Sequence, residues 1–88
     1  MIKVERLDET TFKVTVEARK TTEHEVMVDR SYYEKLTGGR VPAETLIERS
    51  FEFLLEREPN TSILRRFDLP VIGQYFPEYE GTIRKMLE

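Results

Sequence analysis

The chemistry open to this chain is narrow. One histidine, His24, and no cysteine leave no thiol nucleophile, no disulfide and no Cys- or His-rich metal centre. His24 stands between Glu23 and Glu25. An imidazole there could act as a general base or a pH switch. No nucleophile is tied to it by spacing, and the same pattern describes a histidine at the rim of a sheet. An all-carboxylate cation site needs several converging oxygens, and no D-x-D-x-D-G loop occurs. Neither a catalytic residue nor a cofactor or metal is therefore expected. A small enzyme working through His24 or carboxylates is the remotest of three functional readings.

Two patterns suit binding better. Glu44, Glu48, Glu52 and Glu56 recur at a spacing of four. On a helix they share one side, where like charges repel by ~0.2–0.5 kcal/mol per pair. They form either a docking face for a basic partner or a solvated face relieved by Arg49 and Arg57. Tyr75, Phe76 and Tyr79 surround Pro77. These aromatics form either an exposed recognition surface or a clamp between two terminal helices, since a Tyr ring is apolar and its tip polar. The four glutamates and the three aromatics make up the candidate interaction surface.

Thr37-Gly38-Gly39-Arg40 lies before a helix start, where free N–H groups attract phosphate. It lacks the G-K-[ST] of a P-loop, and Pro42 removes a donor, so a helix-to-helix link is expected. The basic pairs Arg19-Lys20, Arg65-Arg66 and Arg84-Lys85 are scattered in a chain of net charge -3. Nucleic acid calls for a concentrated basic footprint, so it is disfavoured as a partner.

The elements that must position these residues follow from periodicity. Ile2 and Val4, then Phe12, Val14 and Val16, then His24, Val26 and Val28 alternate with polar neighbours. Period two puts one set on a buried face and the other in water. Short polar links near Asp8-Glu9-Thr10 and Arg19-Lys20-Thr21 make a three-stranded antiparallel meander. Ser31-Tyr32-Tyr33-Glu34 has the form of a capping box, opening a short helix that Gly38-Gly39 ends. Pro42 suits a first helical turn, and the stripe Ala43, Leu46, Ile47, Ser50, Phe51, Leu54, Leu55 predicts one long helix over about 42–58, stopped by Pro59. Beyond it, residues 60–62 are expected to cap a turn carrying Ile63, Leu64 and Phe67. Asp68 is expected to cap a piece with Pro70 in its first turn, and Tyr79, Ile83, Met86 and Leu87 share a face of a terminal helix.

Strands first and helices later define an α+β class, with residues 1–88 as a single domain. The chain's 88 residues make one thin core, for which Phe12, Val14, Val16, Val26, Leu46, Phe51 and Leu54 are the chosen members. No apolar run nears the ~20 residues of a membrane helix, and the charged start resembles no leader peptide. A soluble cytoplasmic protein without membrane contact is expected.

Two family resemblances bear on function. The stretch FEFLLEREPN…SILRRFDLPVI…YFPEYE, residues 51–80, resembles a family of small uncharacterised prokaryotic proteins. That implies a stand-alone small domain and no activity. Residues 23–57, EHEVMVDRSYYEKL…RVPAETLIERSFEFLLER, are similar in pattern to ribbon-helix-helix regulators. That resemblance implies a dimer whose paired strands read the DNA major groove, with Glu23, Glu25 and Met27 or else His24, Val26 and Val28 on the reading face. The leading expectation is a non-enzymatic interaction or regulatory protein, with a protein partner or a second copy as homodimer. The ribbon-helix-helix regulator is the alternative.

Overall fold

The computed structural model describes residues 1–88. The alternating segments form β1 (Ile2–Arg6), β2 (Thr11–Glu17) and β3 (Thr21–Met27). They pair antiparallel, with Val4 opposite Val14 and Val14 opposite His24. Register is fixed by burial: a one-residue slip would carry every Val from the core face to the water face.

α1 (Arg30–Thr37), α2 (Ala43–Leu55), α3 (Val71–Tyr75) and α4 (Tyr79–Met86) complete an α+β fold. Eighteen buried apolar residues form one cluster, including all seven chosen from the sequence. Leu46, Ile47, Phe51 and Phe53 are fully buried on α2. Burying each such side chain stabilises the fold by about 1.5–3 kcal/mol. Tyr79 of α4 meets the edge of Phe53 at 5.2 Å and shares a 2.6 Å hydrogen bond with Ser50. α4 is thereby locked to α2. Tyr32 of α1 donates to Glu80 at 2.8 Å, tying α1 to α4.

The structure corrects the expected sheet. It has four strands in the order β1-β2-β3-β4, and β4 (Arg66–Asp68) lies parallel to β3. Phe67 therefore enters the core from a strand instead of a helical turn. Asp68 is a strand residue and caps nothing. Three residues are too few to establish a period. β3 is thus paired with β2 along its whole length and, over Glu25–Met27, with β4 on its other edge. The open face carries the cross-strand row Glu5, Lys13, Glu25 and Arg66, in which charge alternates from strand to strand.

The long helix is also shorter than expected. α2 ends at Leu55, not near 58. Glu58 precedes Pro59, a position that disfavours helical backbone, and the N–H groups of Arg57 and Glu58 turn back onto the Leu54 carbonyl. α1 is capped by Asp29 rather than by the Ser31 capping box. The Asp29 carboxylate accepts from the Tyr32 N–H and the Ser31 hydroxyl, both at 2.8 Å. Those bonds hold its pKa below the ordinary carboxylate value, the Tyr32 N–H most of all. Asp29→Ala is expected to cost about 1 kcal/mol, and Ser31→Ala less than half of that, in urea unfolding. A larger loss at Ser31 would restore the capping box.

Candidate functional site

His24 is 2% exposed, so it is a core residue and not a rim residue. Its Nδ1 lies 2.8 Å from the Leu64 carbonyl, which can only accept, so Nδ1 carries the proton. Nε2 then accepts from the Thr22 hydroxyl at 2.8 Å. The Thr22 oxygen in turn accepts from Asn60 Nδ2 at 3.0 Å, and the same amide donates to the Lys20 carbonyl at 2.8 Å. The Phe51 ring lies against the imidazole at 5.3 Å. Both ring nitrogens are occupied by hydrogen bonds within the fold. This is a buried latch that fastens residues 60–64 to the sheet. No buried side-chain polar atom lacks a partner.

The acidic row on α2 is compensated. Glu44 meets Arg6 at 3.4 Å, and Arg49 lies 2.9 Å from Glu52 and 3.8 Å from Glu48. Glu56 meets Arg57 at 3.6 Å. Around the Gly38-Gly39 turn the N–H groups are consumed: Gly38 bonds the Glu34 carbonyl and Gly39 the Thr37 hydroxyl. Both glycines are left-handed, with φ of 65° and 76°, as the turn between helices requires. Of the basic pairs, Arg66 is bridged to Glu25 at 3.2 Å, and Arg84-Lys85 sit in the last turn of α4, where cations suit the helix dipole.

The aromatic string divides. Tyr79 is fully buried and leaves the candidate surface. Phe76 is half-buried, edge-on to Phe53 at 5.9 Å. These two are the clamp. Tyr75, 66% exposed, is not held in it.

What the sequence did not disclose is an apolar cavity of about 170 Å³ beside Tyr75. Leu54 from the last turn of α2, Ile63, Phe67 of β4, and Ile72 of α3 form its walls. Leu64, 45% exposed, and Tyr75 also line it. They are two of four large apolar residues left in water, the others being Met1 and Leu7. The polar groups lining it are Glu58 and Ser62. Glu58 has no ion-pair or hydrogen-bond partner for its carboxylate, and burial pushes its pKa up. A second hollow, near Arg6, Glu9, Arg30 and Glu44, mixes both charge signs and selects neither.

No protein-family model, curated protein or solved structure matches this chain. No group of three or more His, Asp or Glu is placed to hold a metal. No helix is long and apolar enough to cross a membrane.

The latch has a pH signature. Burial depresses the His24 pKa below its ordinary 6.5, and the Arg65 charge adds to this, while the Leu64 carbonyl opposes it. Below pH 6.5 the unfolded chain binds a proton that the fold refuses. Stability therefore falls as pH drops from 6.5 towards the folded pKa, by at most about 1.4 kcal/mol per pH unit. His24→Asn keeps a donor towards Leu64 but cannot titrate. Urea unfolding between pH 5 and 7 should show a shallower slope for the variant, and equal slopes would remove the latch from the pH dependence.

Proposed function

We propose that the protein is a non-enzymatic interaction module and that its working face is the cavity rimmed by Leu64 and Tyr75. The carrying observation is the coincidence of exposed apolar side chains, an apolar hollow and an unpaired carboxylate in one place. At about 170 Å³, the cavity is only slightly larger than one of about 150 Å³ that accepts a benzene ring. Pockets for drug-sized ligands start near 300 Å³. A single side chain from another protein is the matching scale.

The acidic row draws less support, because every glutamate in it has a guanidinium within 4 Å. DNA reading of the ribbon-helix-helix kind is the weaker alternative. Its strand would need a free edge, and β3 is paired with β2 on one edge and, over Glu25–Met27, with β4 on the other. An enzyme built on His24 is weaker still, with both ring nitrogens held inside.

A photo-crosslinking residue placed at Tyr75 should give a covalent protein adduct in living cells, and one placed at Glu48 should not. Adding Leu64→Asp to the Tyr75 probe should abolish the adduct. Adducts from position 48 alone would return the acidic row to first place and overturn this reading.

A further inference from the structure

The occupant of this face is constrained by what the cavity lacks and by what lies beside it. Glu58 is the one carboxylate whose pKa is clearly raised, and burial is the cause. A cation brought beside it would relieve that desolvation. The neighbouring Arg57 is not that cation. Its guanidinium is stacked on Phe53 at 3.6 Å, bonded to the Phe53 carbonyl at 3.0 Å, and bridged to Glu78 at 3.1 Å. It is pinned towards α4.

An apolar side chain followed by a free cation is the complement of this site, and the chain carries one at its rim. Leu64 is 45% exposed. Arg65, next to it, is exposed and has no ion-pair or hydrogen-bond partner for its side chain. Arg66 is committed to Glu25. Arg65 leads into β4 directly after Leu64, and its charge is felt at His24. Leu64 and Glu58 both line the hollow, and Arg65 is the residue next to Leu64 along the chain. A surface bearing both halves of a complementary pair on one patch is what a two-fold interface requires, since each contact is then made twice.

We propose that this face is occupied by a second copy of the chain: Leu64 of each protomer enters the other's cavity, and Arg65 of each pairs with the other's Glu58. The inference rests on the interaction reading above and commits it to one partner. Tyr75, standing 66% exposed beside the hollow, packs across the two-fold axis. Aromatic residues are enriched at such interface centres.

The test is a charge exchange read by sedimentation equilibrium with the intact protein. Wild type should reach the dimer mass as concentration rises. Glu58→Arg alone places two cations opposite each other, and Arg65→Glu alone places two carboxylates. Each variant should dimerise about tenfold more weakly or worse. An equimolar mixture should recover dimer, because both cross-pairs are then Arg with Glu. Both positions lack intramolecular partners, and matched thermal melts confirm that each variant folds.

A wild-type protein that stays monomeric at its highest soluble concentration overturns the inference. So does a dimer whose strength ignores both exchanges, since it would use another face. The interaction reading fails separately. If the Tyr75 probe gives an adduct heavier or lighter than two chains while wild type is monomeric, that reading stands and the second copy is excluded. If the probe gives no adduct and wild type is monomeric, both fall.

Discussion

The last third of the molecule depends on one buried chain of hydrogen bonds. Asn60 donates to Thr22, Thr22 to His24, and His24 to the Leu64 carbonyl. The Leu64 carbonyl can only accept and the Asn60 amide nitrogen can only donate, so the direction of every proton between them is fixed by the ends. Leaving one buried member unpaired costs about 1–3 kcal/mol, which makes the chain all-or-none. It fixes residues 60–64 against β3. With those residues fixed, the Arg65 carbonyl accepts from the Glu25 N–H at 2.8 Å and β4 follows alongside. A three-residue parallel strand has little cohesion of its own. It holds because the segment leading into it is already anchored.

This anchoring explains what was legible in the sequence and what was not. Period-two alternation over five to seven residues located β1, β2 and β3, and the three-four stripe located α2, because burial imposes the element's own period on residue type. β4 is too short to carry a period, and its partner is far away in sequence. Asp29 is masked in the sequence because Ser31 and Glu34 supply a complete local pattern, and nothing local ranks two competing caps. The charged neighbours of His24 point to a rim position. Yet its phase with Val26 and Val28 already placed it inward, and only Thr22 and Asn60 make that position tolerable. Asn60, thirty-eight residues from Thr22, has no sequence signal beyond being polar.

The candidate surface was legible in part, for a related reason. Regular spacing marks the glutamates of α2 in the sequence, but regularity on a helix also brings cations within reach. Arg49 serves two of the four, while Arg6 comes from β1. In the aromatic string, Tyr79 and Phe76 met the core and Tyr75 did not. α3 is only five residues long, so it presents few side chains inward and leaves its last residue, Tyr75, outside. The cavity itself is made by α2, β4, α3 and the segment around Ile63 and Leu64. No single stretch of sequence contains it.

The latch and the cavity are two sides of one segment. Leu64 turns its carbonyl inward to His24, and its side chain is left 45% exposed at the rim. A loop not required to satisfy His24 could turn the leucine in and close the hollow, gaining about 25 cal/mol for each Å² of apolar surface removed from water. The fold forgoes that gain because the carbonyl has no substitute partner to offer the imidazole. The exposed leucine, the open cavity and the bare Arg65 beside it thus follow from the same buried bond. An apolar surface kept open by a constraint in the core can be closed only from outside, and a partner carrying a bulky apolar group next to a cation closes it with the least unpaired charge.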